Sequence, residues 1–359
     1  SRAEEGSEQV AWSQVDLSLS MEAPHNLPAH ATKHVQQLHY ALPNAQLVLH
    51  QDNHAADSTG PSIHPRSPLL LAALHNAICT AVLGPNHLPP ACYAGSLIGR
   101  TVWLGAQVLS VYLDHLLADS RHQHRVAHNQ RAIDLGSGTG LVALALANLG
   151  YDTLATDVDA IAHGVLAQNV RENADRVSRG RGRIRAAALD WFTFDRDAWR
   201  WPSSGEDDDD QDGGDARHVD LITTADTVYD PSLSEPLLRT LHGLSLLSSL
   251  SSSSGSPTPP PIYLALEARD PALIASFFQL AASSTFGFKC SRIDPARIKK
   301  LVESEKGTLA WQDEADWEGV ELWKLVLSKR ELNLQKTSRR QLRQQALLSV
   351  NTATAEGGA

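Results

Sequence analysis

The chain has 359 residues, 42% of them hydrophobic, and a formal net charge of −10 at pH 7, which suits one large domain or two modest ones. No run approaches the roughly 18 apolar residues of a membrane span, and no charged-then-apolar signal segment opens the chain. We therefore expect no membrane partner. Because the three cysteines are scattered without zinc-site spacing, we also expect no bound metal and an intracellular protein, cytoplasmic and/or nuclear.

The first 95 residues are rich in His, Pro, Ser and Gln and are interpreted as an N-terminal extension of unassigned order. Short apolar patches such as residues 45–49 indicate strands within it, and residues 67–83 are predicted to be helical. Residues 100–118 form a predicted amphipathic helix that includes Trp103, because apolar residues recur there every three or four positions. The histidines at positions 115, 122, 124 and 128 are interpreted as part of a linker.

From residue 131, apolar segments of strand length alternate with helical segments. The predicted strands cover residues 131–135, 153–157, 184–191, 219–225 and 262–267, and the helices cover 140–149, 160–173, 232–250 and 271–283. This alternation predicts an α/β fold with a Rossmann-like, doubly wound, seven-stranded and mostly parallel sheet. Residues 288–293 and 319–328 are predicted to add an antiparallel hairpin at one edge.

The predicted domain covers residues 96–328 and is interrupted by two polar segments. Residues 202–215 are an acidic insertion and residues 248–261 are a Ser/Pro loop, neither of which has the apolar area to order itself. Residues 329–359 follow as a basic C-terminal tail. We expect any contact with nucleic acid to involve this tail alone.

Glycines stand at alternate positions directly after the first predicted strand of the domain. The pattern is G-x-G-x-G at Gly136, Gly138 and Gly140, with Asp134 ahead of it and Ser137 within it. Glycine lets the backbone turn tightly beside the unpaired N–H groups of the following helix. A dinucleotide fingerprint would place its third small residue at position 141, which is leucine, so the spacing disfavours a dehydrogenase.

Two later strands also end in polar or aromatic residues. Asp157 closes the second strand, where an acidic residue in a nucleotide-binding sheet accepts hydrogen bonds from ribose hydroxyls; Asp159 is the alternative, or the cap of the next helix. The third predicted strand ends in Leu189, Asp190 and Trp191, where an indole can cover an adenine ring while a carboxylate accepts from its amino group.

The fourth strand ends in Ala225-Asp226-x-x-Tyr229, which places a carboxylate and a phenol at the same edge of the sheet. The glycine motif resembles the first motif of S-adenosylmethionine-dependent class I methyltransferases. Together with Trp103, Asp157 and Asp190-Trp191, the Asp-x-x-Tyr segment resembles the family 16 seven-β-strand protein-lysine methyltransferases, over residues 96–328. Within that family, Asp190-Trp191 and Val228-Tyr229-Asp230 are most similar to the methyltransferase-like protein 22 branch, whose substrate class is nuclear protein lysine.

The resemblance implies S-adenosyl-L-methionine as cofactor and a protein substrate that presents a lysine to a monomeric enzyme. It implies that Asp226 and Tyr229 are the catalytic residues that face the methyl group and the incoming amine. The residues that it implies for cofactor binding are Trp103, Asp134, Gly136, Ser137, Gly138, Asp157, Asp190, Trp191 and Ala225.

Two other functions remain open on the sequence. A small-molecule N- or O-methyltransferase would share the cofactor half of the site, and an enclosed substrate site would favour it over a protein-modifying enzyme. A catalytically idle S-adenosylmethionine-binding scaffold could act through the acidic insertion or the basic tail, although intact Asp226 and Tyr229 count against it.

Overall fold

A computed structural model describes residues 25–52, 99–123, 130–178, 182–202, 217–251, 258–334 and 337. The strands are β1 Gln37–Leu42, β2 Ala45–His50, β3 Arg131–Leu135, β4 Asp152–Asp157, β5 Arg183–Ala188, β6 Leu221–Ala225, β7 Ile262–Glu267, β8 Phe288–Arg292 and β9 Val320–Leu327. The α-helices are α1 Ala29–Thr32, α2 Leu104–Gln123, α3 Leu141–Asn148, α4 Asp159–Ile161, α5 Ala167–Ser178, α6 Pro231–Ser251, α7 Pro271–Ala282 and α8 Pro295–Val302.

Seven strands form one sheet in the order β5-β4-β3-β6-β7-β9-β8. The strands from β3 to β7 pair in parallel, and β9 pairs antiparallel with both β7 and β8. The predicted fold class, a doubly wound and mostly parallel sheet with an antiparallel pair at one edge, is confirmed. The pair is not a tight hairpin, because α8 and a short turn at Glu314–Asp316 lie between its strands, and the sequence analysis did not predict them.

The predicted element boundaries hold best inside the sheet. Strands β3 and β7 begin and end where the apolar runs predict. The helix predicted from residue 100 begins instead at Leu104 and continues to Gln123, so that Trp103 lies just before it. The helix predicted at residues 160–173 continues to Ser178, and a π-helical segment with a kink at Gly164 separates α4 from α5.

Several predicted segments lie outside the described residues: the helix at 67–83, His124 and His128, nearly all of the acidic insertion, the middle of the Ser/Pro loop and most of the basic tail. The first residues of that tail, 329–334, are helical, and Leu332 is buried in the main core. Among the helices that the structure describes, none is both long and apolar enough to cross a membrane.

Helices cover both faces of the sheet, as a doubly wound fold requires. On one face, α6 and α7 bury Leu237, Leu241 and Phe277 against the sheet. On the other face, α2 and α8 bury a second cluster that includes Leu113 and Ile298. The site described below lies along the edge between these two layers.

The N-terminal strands β1 and β2 form an antiparallel hairpin that docks on α5 through side-chain amides. Asn173 accepts from the N–H of Val48 at 2.8 Å and donates to its carbonyl at 2.7 Å. One helical turn earlier, Asn169 bonds the N–H and carbonyl of His50 in the same way, at 2.7 and 3.1 Å. The two amides therefore take the place of a further strand along the outer edge of β2.

We expect Asn173→Ala to lower the free energy of unfolding by about 2 kcal/mol, because both backbone groups of Val48 lose their partner. Denaturant unfolding measures this change, and hydrogen exchange should show faster exchange at the Val48 amide. Gln168→Ala on the exposed face of α5 is the control, with an expected change within about 0.5 kcal/mol. Equal stability of the two variants would show that the amide contacts do not hold the hairpin.

Candidate active site

Strands β3, β4 and β5 extend the sheet towards one edge, and β6 and β7 extend it from β3 towards the other edge. The parallel strands β3 and β6 are therefore neighbours although they are far apart in sequence. In such sheets a crevice opens outside the carboxyl ends of the strands at this switch point. The glycine loop follows β3, and the Asp226 segment follows β6. The structure thus brings the two principal predicted motifs to one crevice.

The glycine loop has a backbone conformation that side chains disfavour. Gly136, Gly138 and Gly140 have φ values of +66°, +54° and +86°. A Cβ at Gly136 would lie 2.7 Å from Cγ2 of Thr227, and one at Gly138 would lie 2.9 Å from the carbonyl oxygen of Gly99. Left-handed backbone and close neighbours together require glycine at these two positions.

Asp157 bonds directly to this loop. Its carboxylate accepts from the N–H of Gly138 at 2.9 Å and from the N–H of Val158 at 2.8 Å. Burial raises the pKa of Asp157 to about 6, although these two bonds act in the opposite direction. The alternative, Asp159, is the first residue of α4 and does not cap it, and its exposed carboxylate pairs with His163.

Asp134 lies beneath the loop, and its side chain is only 2% exposed. Its carboxylate accepts from the hydroxyl of Thr223 on β6 at 2.7 Å, and burial raises its pKa to about 7. The hydroxyl of Ser137 donates to the Asp134 carbonyl at 3.0 Å and accepts from the N–H of Thr156 at 3.1 Å. Asp134 and Ser137 therefore hold the loop against the strands on both sides of it.

The Trp191 indole packs beside the glycine loop, 3.2 Å from the position that a Gly136 Cβ would occupy. Its Nε1 is buried without a hydrogen-bond partner among the described residues, so it can donate to a ligand acceptor at this point. The Asp190 carboxylate accepts from the N–H of Phe192 at 2.9 Å and fixes the turn that carries the indole.

Asp226 lies at the N-terminus of α2, although the two segments are more than 100 residues apart. Its carboxylate accepts from the N–H of Ala106 at 3.1 Å, and both carboxylate oxygens lie 2.6 Å from where a Cβ of Gly105 would be. The backbone of Asp226 itself has φ +57°, an uncommon value for a residue with a side chain. Burial, together with the charge of Glu267, raises the pKa of Asp226 to about 7.

Trp103 precedes α2 and has two cations close to its rings. The Nζ of Lys33 is 4.4 Å from the centre of a Trp103 ring, and the Cζ of Arg269 is 5.1 Å away. Arg269 also forms an ion pair with Glu267. The site prediction omitted all three charged residues. The position of Glu267 and Arg269 at the carboxyl end of β7 was a usable signal, whereas nothing near Lys33 in sequence indicated its location.

Three large apolar or aromatic side chains stay exposed on the loops that surround the crevice. Val158, Phe192 and Tyr229 follow β4, β5 and β6 and are 37%, 46% and 45% exposed. Ala225, the last residue of β6, is half-buried between the Asp226 turn and the sheet. The predicted site residues therefore form two groups: the glycine loop with Asp157 and Trp191, and Asp226 with Trp103 at the start of α2.

A family model described as lysine methyltransferase matches residues 91–272, half of the chain. The chain is 28% identical over 149 residues to human methyltransferase-like protein 22, and the match covers 41% of this chain and 34% of the relative. It is 31% identical over 148 residues to protein N-lysine methyltransferase METTL21A of Danio rerio, covering 41% and 56% of the two chains. The chain therefore spans between a third and little more than half of these relatives.

Among solved structures, the human methyltransferase 10 domain containing protein is similar with a TM-score of 0.37 and 15% identity. That match covers 74% of this chain and 98% of the other.

We expect the stability of the protein to fall as the pH rises from about 4 to about 7. In this window the folded Asp134 carboxyl, with its pKa of about 7, holds a proton that the unfolded chain has released. Asp134→Asn keeps an acceptor for Thr223 and cannot ionise, so denaturant unfolding should show a shallower decline with pH. The slope should not vanish, because Asp157 and Asp226 also have raised pKa values. The exposed-site control Asp159→Asn should keep the wild-type slope, and an equal slope in Asp134→Asn would contradict the assignment.

Proposed function

The chain belongs to the lysine methyltransferase family, and from this premise we propose that it transfers a methyl group from S-adenosyl-L-methionine to a lysine side chain of a protein. The observation that carries the proposal is the convergence of the glycine loop and the Asp226-x-x-Tyr229 segment at one switch-point crevice. The relatives named as protein N-lysine methyltransferases support the choice of acceptor.

The crevice suits this cofactor in both shape and polarity. The glycine loop keeps its tight backbone at the crevice because a Cβ at Gly136 would meet Thr227 and one at Gly138 would meet Gly99. Asp157 supplies a carboxylate for ribose hydroxyls, and the unpartnered Nε1 of Trp191 supplies a buried donor beside an aromatic face. We propose that these residues hold the cofactor, with Asp134, Ser137 and Asp190 supporting them and Trp103 and Ala225 at the side that faces Asp226.

When bound, the cofactor supplies an electrophilic sulfonium methyl group. The protein has to orient the acceptor amine and receive it without its proton, since only a neutral amine has a free electron pair. We propose that Asp226 and Tyr229 orient this amine at the end of β6. The bond from Asp226 to the start of α2 fixes the carboxylate in advance, which reduces the entropy that alignment costs.

A protein acceptor is favoured over a small molecule by the exposed residues at the crevice. Val158, Phe192 and Tyr229 present apolar and aromatic surface to solvent on three neighbouring loops, where a small-molecule enzyme would need to enclose its substrate. We further propose residues 96–328 as the catalytic domain, a monomer as the working unit, and an intracellular location, cytoplasmic or nuclear. We assign any contact with nucleic acid to the basic tail.

The proposal is tested by incubating the purified protein with methyl-labelled S-adenosylmethionine and a cell extract. We expect label on protein bands, recovered as methyllysine after hydrolysis, and calorimetric binding of the cofactor. Gly138→Val should abolish both methyl transfer and cofactor binding, because a side chain there meets Gly99. Gly164→Ala should keep both, because nothing lies within 4 Å of the new Cβ. Label in small metabolites alone would favour the small-molecule enzyme, and binding without any transfer would favour the scaffold.

We expect Asp226 and Tyr229 to affect transfer more than cofactor binding. Asp226→Ala should slow single-turnover methylation at least roughly tenfold, about 1.4 kcal/mol of barrier. Asp226→Asn should slow it less, because its amide oxygen can still accept from Ala106. Tyr229→Phe keeps the ring and should have a smaller effect than Asp226→Ala. Cofactor titration of each variant should stay near wild type; wild-type rates in all three would contradict the catalytic assignment.

A further inference from the structure

Lys33 belongs to the N-terminal segment, yet its ammonium lies in the proposed active site. The Nζ is 4.4 Å from the centre of a Trp103 ring, and Trp103 immediately precedes the helix whose N-terminus Asp226 caps. The residue as a whole remains exposed to solvent. An amine of this chain is therefore held over Trp103, next to the helix N-terminus capped by the carboxylate that the proposed function assigns to the incoming lysine.

One buried glutamine fixes the backbone from which Lys33 reaches Trp103. The amide nitrogen of Gln51 donates to the carbonyls of Thr32 and Val35, at 2.9 and 2.8 Å, on both sides of Lys33. The amide oxygen of Gln51 accepts from the N–H of Val102 at 2.8 Å, next to Trp103. Gln51 thus ties the backbone around Lys33 to the backbone around Trp103.

The charges around Lys33 favour a reactive amine. Partial burial lowers the pKa of Lys33 below the usual lysine value, and the nearby Arg269 cation lowers it further. The charges of Glu267 and Asp226 act on this pKa in the opposite direction. A larger share of neutral amine is therefore available here than on an ordinary surface lysine.

We propose that Lys33 is a self-methylation site, at which the protein methylates its own chain within one molecule. The inference rests on the proposed function. The Lys33 ammonium first loses a proton to solvent. The Nζ electron pair then forms a bond to the methyl carbon of S-adenosylmethionine. The carbon–sulfur bond breaks as that bond forms, and its electron pair remains on sulfur, which leaves a thioether and a methylated ammonium.

The position of the amine is tested first without catalysis. The cofactor-free protein is treated at pH 8 with a limiting amount of an amine-acylating reagent, and labelled lysines are quantified by peptide mapping. Lys324 is the internal reference, because it also lies over an aromatic ring, 5.7 Å from that of Tyr263, and pairs with β7 near its amino-terminal end, away from Glu267 and Arg269. Lys33 should react at least about threefold faster, and saturating S-adenosylhomocysteine should slow Lys33 alone. If Lys33 and Lys324 are acylated at equal rates and S-adenosylhomocysteine does not change them, the proposal is overturned.

Methylation is then followed on the purified full chain with S-adenosylmethionine as the only other component. We expect a methyl mass increment mapped to Lys33, with a first-order rate that is unchanged over a tenfold range of protein concentration. Lys33→Arg keeps a cation over Trp103 and should lose the increment, whereas Lys324→Arg should keep it.

Methyllysine on extract proteins with none at Lys33 would overturn this inference and leave the proposed function standing. Failure to bind the cofactor or to methylate anything would overturn both. A rate that rises in proportion to protein concentration would overturn transfer within one molecule.

Discussion

A buried hydrogen bond between β3 and β6 joins the two halves of this protein at the point where its sheet reverses. The Asp134 carboxylate accepts from the Thr223 hydroxyl at 2.7 Å, and the hydroxyl of Thr224 donates to the Leu135 carbonyl at 2.9 Å. From the other side, Thr156 on β4 donates to the Asp134 carbonyl at 2.8 Å. The end of β3 is thus bonded to both neighbouring strands, which fixes the glycine loop relative to the segment that carries Asp226.

The sequence predicts the structure best where a strand ends in a charged residue or a glycine. A buried run that stops at a charged or glycine residue predicts where the strand ends, which is why the ends of β3, β4 and β6, with Asp157 and Asp226 at the last two, agree with the structure. The partner of Asp226 could not be located in this way. Its bond to Ala106 depends on how α2 packs across the sheet, and no local pattern in either segment encodes that. The same bond explains why α2 was predicted to begin at residue 100 and not at Leu104. Its N-terminus is capped by a carboxylate distant in sequence and not by a neighbouring residue.

The N-terminal segment was the least predictable part for a related reason. It attaches to the rest of the domain through three side-chain amides that look like ordinary polar residues in the sequence. They are Asn169 and Asn173 on an amphipathic helix and Gln51 at the end of a strand. Each of these amides is buried and bonds to backbone groups far away in sequence. A buried amide of this kind specifies one docking geometry, because any other would leave its donors and acceptors unsatisfied. Within the described part of this segment, residues 25–52, three such amides therefore fix how the hairpin docks on the domain.

The electrostatics of the crevice connect its fold to its chemistry. Asp134, Asp157 and Asp226 all have pKa values raised by burial, to between about 6 and 7, so each costs the folded protein free energy when it ionises. Hydrogen bonds from the loop and from α2 offset only part of that cost. A site that gathers incompletely compensated carboxyls is prepared for a cationic ligand, because a positive charge favours their ionised forms. The cations already present, Lys33 and Arg269, lie over Trp103 on the side of Asp226, where the proposed function places the incoming amine.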